Sequence, residues 1–289
     1  MELSSAQIVV LALKVCILST IFALGLKAAW VDVASLLHRR GLLLRSLLAM
    51  YVLTPLTAML LVLVFSAPQA VESAVLLMAI SAGAPLLPKK LLKLGVNPPY
   101  IYSLSVIASL LAIVTVPVSL GIISAFVNRS ASIAATEVAY TIATVFLVPL
   151  LAGMMVRHLR PALAERISDS IIGTANILLL VLILVIGATN YSAILAAVNP
   201  SGFALIVVMT FAALAIGHVL GGPEPNDRTT LAIACASRLP ALVMLIASLN
   251  YPDAKPLPVV AAYLLFSNLA AIPYLRWRTP ARGITPGAS

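Results

Sequence analysis

Apolar residues run along this chain in long, nearly continuous blocks separated by short polar connections. The blocks show no period-two alternation of the kind that marks a half-buried strand, and each is long enough for a helix. A membrane-spanning helix needs about 20 apolar residues. By that measure nine spans are expected, at roughly 6–30, 42–66, 71–94, 99–126, 137–156, 170–190, 202–220, 229–250 and 258–276. Membrane β-strands would be alternating segments of about ten residues, and these blocks are far longer. The connections have no room for a soluble domain, so residues 1–289 are expected to form one transmembrane domain, with 277–289 as a tail.

Two of the blocks, the third and the eighth, are interrupted. Met78–Pro88 reads Met-Ala-Ile-Ser-Ala-Gly-Ala-Pro-Leu-Leu-Pro and is followed at once by Lys89 and Lys90. Pro85 and Pro88 each remove an N–H and clash with the preceding turn, so no regular helix passes through them. A close echo, Leu-Ala-Ile-Ala-Cys-Ala-Ser-Arg-Leu-Pro at Leu231–Pro240, carries Arg238 and ends on Pro240. Paired interruptions in corresponding places of two halves are the best sequence-level pointer to a transporter's binding site.

Composition agrees with this pattern. The chain is 62% hydrophobic and 9% charged, with a mean hydropathy of +1.12, whereas a soluble domain is about one quarter charged. The fold class is therefore all-α integral membrane. The two cysteines, Cys16 and Cys235, lie in apolar runs and define no disulfide framework. Met1–Ala6 contains Glu2 and no basic stretch, and the apolar run after it is too long for a cleavable signal.

Charge sets the expected topology. Basic residues gather in alternate connections: Lys27, Arg39, Arg40 and Arg45; Lys93; Arg157, Arg160 and Arg166; Arg228; and Arg276, Arg278 and Arg282. The other connections hold little beyond Arg129 and Lys255. The positive-inside rule then places the N-terminus outside and the C-terminus in the cytoplasm, as a plasma (inner) membrane protein. It also accounts for the net charge of +9 without a nucleic-acid partner. The third span runs inward and the eighth outward, so the echo reads as an inverted-topology repeat, with halves of about 6–126 and 137–276 and two crossed discontinuous helices.

Half-helix ends meeting at such a crossing present free N–H groups and positive dipole ends suited to an anion. Ser81 and Ser237 belong to the two breaks, and their small neighbours allow close backbone approach. Arg238 is deep in an apolar segment, where a charge must be paired or face water. It reads either as a cation bonded to the carbonyl end of the opposite broken helix, as an anion clamp, or as a fixed charge replacing a coupling cation. Lys89 and Lys90 read as cavity-floor cations or as snorkelling anchors. Lys14, midway along the first span, and His218, near the end of the seventh, are coupling candidates beside structural alternatives. Ser109 and Asn268 are polar positions on spans adjacent to the breaks, suited to a cavity wall or to helix–helix hydrogen bonds.

Together these features resemble the bile acid:sodium symporter family. The resemblance is carried by Phe22-Ala-Leu-Gly-Leu26, Leu53-Thr-Pro-Leu-Thr57, the broken third span, Leu104-Ser-Val106, Pro117, Gly217-His-Val-Leu-Gly221, Thr230-Leu-Ala-Ile233 and Phe266-Ser-Asn268, in that order. It implies a core of spans two, three, four, seven, eight and nine moving against a panel of one, five and six, carrying a small organic anion by alternating access. The departures concern sodium. Ala234 stands where the family has a glutamate, Arg238 and about Met50 stand at glutamine positions, and the Ser-Asn pair of the third break gives way to Pro88-Lys89-Lys90. The sodium sites therefore read as degenerate, with no other cofactor or metal expected. Alternatives are an auxin-efflux-type or cation/proton-antiporter-type carrier, or a non-transporting sensor or partner subunit. An enzyme is not expected, since His-Glu-x-x-His, Gly-x-Ser-x-Gly and an intramembrane aspartate pair are all missing.

Overall fold

The computed structural model describes residues 5–81, 97–126, 135–197, 199–250 and 256–278. They form α1 (Ser5–Lys27), α2 (Trp30–His38), α3 (Arg40–Leu48), a π turn at Ala49–Leu53, α4 (Thr54–Val64), α5 (Gln69–Ile80), α6 (Pro98–Phe126), α7 (Ala135–Leu159), α8 (Pro161–Thr189), α9 (Tyr191–Ala197), α10 (Pro200–Leu220), α11 (Pro225–Ala236), α12 (Pro240–Asn250) and α13 (Pro256–Arg278). Among the described residues, seven stretches are long and apolar enough to cross a membrane: α1, Arg40–Val64, α6, α7, α8, α10 and α13. They coincide with all the expected spans except the two interrupted ones. Large apolar side chains such as Leu60, Leu63, Val114, Val148 and Leu184 point outward from the bundle, as a bilayer solvent allows.

The interruption expected in the eighth block falls where chain chemistry demands it. Pro240 cannot continue a helix from the residue before it, so α11 stops at Ala236 and Ser237 turns extended, with φ −91° and ψ 119°. Pro240 then opens α12, a position where its missing N–H costs nothing. Helix α5 ends at Ile80, and Ser81 is extended at φ −66° and ψ 155°. Pro85, Pro88, Lys89 and Lys90 lie outside the described residues.

Two groups of helices pack most closely. In one, α1, α7 and α8 contact one another. Gly25 and Gly153 let α1 and α7 touch backbone to backbone: a Cβ on Gly25 would strike the Leu150 carbonyl, and one on Gly153 the Phe22 carbonyl. Lys27 pairs with Asp169 of α8 at 2.8 Å, and Arg157 donates to the Leu26 carbonyl at 2.9 Å. In the other group, α10 packs on α11, α13 and α4, and α5 packs on α4, α12 and α13. Gly217 gives the same intimacy there, because a Cβ would meet the Ala232 backbone at 2.5 Å.

The sequence pattern misses three local features. Helix α2 lies in the connection after α1, short α9 follows α8, and α8 starts at Pro161 rather than near residue 170. The first turns of α8 carry Glu165, Arg166 and Asp169, which an apolar pattern reads as loop.

Candidate functional site

The two interruptions meet through Arg238. Its side chain is only 4% exposed. Nη1 donates to the Ser81 carbonyl at 2.9 Å and Nη2 to the Met50 carbonyl at 3.3 Å. Ser81 caps the C-terminal end of α5, where unpaired carbonyls and the negative end of the helix dipole favour a cation.

The Met50 carbonyl is available for a reason written in the sequence. In the π turn each N–H reaches five residues back, and the Thr54 N–H bonds the Ala49 carbonyl. The Thr54 hydroxyl adds a second bond to that carbonyl at 2.7 Å. Next in register is Pro55, which has no N–H to offer Met50. Arg238 fills that vacancy from the opposite element. π turns are frequent at functional sites, and Leu53-Thr-Pro makes this one.

Magnitudes show why the buried charge is tolerated. An arginine at mid-membrane costs about 2.5–3.5 kcal/mol on insertion scales. Two charge-assisted hydrogen bonds, about 1.5–3 kcal/mol each, offset that cost. Arg238 Nε is buried and has no acceptor. Tyr51, Cys235 and Tyr263 surround the guanidinium closely enough to interact with it electrostatically. Tyr51 in turn donates to the Ala108 carbonyl of α6 at 2.6 Å.

Arg238 also lines a cavity of about 700 Å³. Cys16 and Thr20 of α1 and Asn176 of α8 form one wall, and Ser237, Pro240, Ser267 and Asn268 the other, with leucines and isoleucines between. The cavity thus separates the two packed groups of helices. Ser237, Arg238 and Asn268 share it, and Ser81 adjoins it through the Arg238 bond. The Asn268 amide donates back to the Leu264 carbonyl at 2.6 Å. Ser109 is buried on α6 and its hydroxyl has no partner, but it does not line the cavity.

The coupling candidates lie elsewhere. Lys14 is exposed and lines a second cavity of about 490 Å³ with Thr136, Glu137, Tyr140 and Thr141 of α7 and Leu242, Leu245 and Ile246 of α12. His218 Nδ1 is 3.0 Å from the Tyr274 hydroxyl, inside an aromatic group with Trp277 at the ends of α10 and α13. That arrangement packs His218 into an aromatic cluster rather than against the Arg238 cavity.

Sequence reasoning missed the Met50 carbonyl, although Pro55 signals it, and missed Asn176 and Thr20 as cavity walls. It also placed Asp227 in a loop. Asp227 is 2% exposed in the first turn of α11, bonded to Arg39 at 2.8 Å and to the Asn97 amide at 3.2 Å. Proline at the helix start followed by an acid in the first turn is the signal that locates it.

A bundle of membrane-length helices with a cation held between a helix end and a π turn defines a multi-pass α-helical membrane protein. The family model described as the Sodium Bile acid symporter family matches residues 14–197, more than half of the 289 residues, and the chain belongs to that family. Its fold is that of a membrane transporter family, whose members are not enzymes. The matched stretch includes Met50 and Ser81 and ends before Arg238. No curated protein sequence matches the chain.

Proposed function

We propose that the chain is a secondary transporter of a small organic anion that works by alternating access without sodium. The observation that carries this reading is Arg238, which bonds the Ser81 and Met50 carbonyls beside a cavity of about 700 Å³. Those carbonyls are oxygen acceptors of the kind a sodium ion would take, and a guanidinium already neutralises them. Arg238 therefore acts first as a permanent replacement for the coupling cation. Its contact with substrate is secondary, because both terminal nitrogens already hold carbonyls and Nε is the nitrogen without an acceptor.

In this reading the chain has nine spans, the third and eighth discontinuous and crossed, in an inverted repeat of about 6–126 and 137–276. The group of α1, α7 and α8 serves as the panel, and the remaining spans form the moving core. The N-terminus faces outward and the C-terminus the cytoplasm of the plasma membrane. Ser237, Asn268, Ser81 and Ser109 line or support the anion path, and Lys89 and Lys90 extend its positive charge.

Proteoliposome uptake of a radiolabelled bile acid, pantoate or a keto acid, in sodium and in choline buffer, tests the proposal. Equal saturable uptake in both buffers is expected. Uptake that requires sodium sinks the sodium-independent mechanism. Saturable binding without flux makes the protein a sensor.

A further inference from the structure

A cavity of about 460 Å³ opens at the end of the bundle away from Lys14, between the start of α3 and the turn joining α10 to α11. His38, Arg39, Arg40 and Arg45 line it, against Gly221, Gly222 and Pro223, with Asp227 beneath. The charges do not cancel. Asp227 is the only acid in the lining, and Arg39 together with the Asn97 amide already satisfies it. Arg40 and Arg45 have no carboxylate partner among the described residues.

The cavity's other walls offer an anion little resistance. Gly41 has open space where a side chain would project, and Gly222, at φ +86°, makes a turn that L side chains rarely adopt. Arg228 Nε holds the Gly222 carbonyl at 2.6 Å, so that acceptor is occupied. Two unpaired guanidiniums facing a recess with bare backbone walls suit a phosphate, which arginine grips with two parallel hydrogen bonds. Basic recesses between membrane helices at the cytoplasmic surface bind anionic head groups.

We infer that this recess binds a phosphate group, with Arg40 and Arg45 as its ligands and an anionic membrane lipid as its source. The site is separate from the Arg238 cavity and does not depend on transport.

The test measures thermal unfolding of detergent-purified protein with short-chain phosphatidylglycerol, short-chain phosphatidylcholine or inorganic phosphate. Phosphatidylglycerol is expected to raise Tm by several degrees and phosphatidylcholine to leave it unchanged. The double variant Arg40→Gln/Arg45→Gln should lose that rise while keeping its lipid-free Tm, because both side chains are exposed. A control, Arg160→Gln/Arg166→Gln, also at exposed basic positions, should keep the rise. An equal rise with inorganic phosphate supports the recess and makes a free phosphate its occupant. No rise in the unaltered protein, or equal loss in both double variants, overturns the site.

Discussion

Arg238 and Lys14 both sit in apolar stretches without an acidic neighbour in sequence, yet the fold treats them in opposite ways. Arg238 is 4% exposed and spends two donor atoms on backbone carbonyls from α5 and the π turn. Lys14 is exposed to a cavity that it shares with Glu137, and forms no ion pair within 4 Å there. The difference follows from what surrounds each. A break and a proline-freed carbonyl supply acceptors for Arg238, whereas the unbroken helix α1 keeps its own carbonyls satisfied and leaves Lys14 facing its cavity. Cations deep in a membrane sequence are therefore of two kinds here, one that completes the backbone and one that lines a cavity.

The largest effect is expected from breaking the first kind. Arg238→Met leaves the Ser81 and Met50 carbonyls unpaired in a buried setting, a penalty of about 1–3 kcal/mol each. Relief of the buried charge offsets part of it, so Tm in detergent should fall by about 5–10 °C. Anion uptake should fall at least tenfold. Arg238→Lys should recover only part of both losses, because a compact ammonium cannot fork between two carbonyls. Unchanged Tm and uptake in Arg238→Met would mean that the pairing is idle.

The sequence makes one side of this site legible and hides the other. Pro240 dictates the break that exposes Arg238, and the long apolar blocks dictate the helices around it. The acceptors are backbone carbonyls, which have no letter of their own; only Pro55, by withholding an N–H, marks one of them. Two cavity walls were equally hidden, since Thr20 and Asn176 join Asn268 only when α1, α8 and α13 pack. Lys14 looked isolated because Glu137 belongs to a distant helix. The resemblance carried by the ordered motifs gave the family correctly, but it did not tell which cation stands where.

A smaller effect is expected at Asp227, an acid that joins the start of α11 to Arg39 and to Asn97 at the start of α6. Asp227→Ala strands the Asn97 amide and releases Arg39. Because the Arg39 side chain is 48% exposed, water takes over much of its loss, and about 1–2 kcal/mol of destabilisation should show in thermal unfolding. Salt distinguishes this pair from Arg238: raising ionic strength should shrink the Asp227 effect more than the Arg238 effect.

Smaller still is the coupling between Pro55 and Arg238. Pro55→Ala restores an N–H that can reach the Met50 carbonyl and compete with Nη2. A double-mutant cycle of Pro55→Ala with Arg238→Met should show the two changes costing about 1 kcal/mol less together than separately. Strict additivity would show that Pro55 does not free the carbonyl for Arg238.

The smallest effect on stability belongs to Lys14, and it is the sharpest check on the comparison. Lys14→Met removes an exposed charge that lines a cavity and holds no buried acceptor, so stability should stay within about 0.5 kcal/mol of the parent. Uptake is expected to change only in its dependence on ionic strength, since a cation lining an aqueous approach raises the local anion concentration and salt screens it. If Lys14→Met instead lowers Tm as far as Arg238→Met does, exposure to a cavity no longer separates the two kinds of cation. If it abolishes uptake at every salt concentration with Tm intact, Lys14 takes part in the transport step itself rather than in the approach to it.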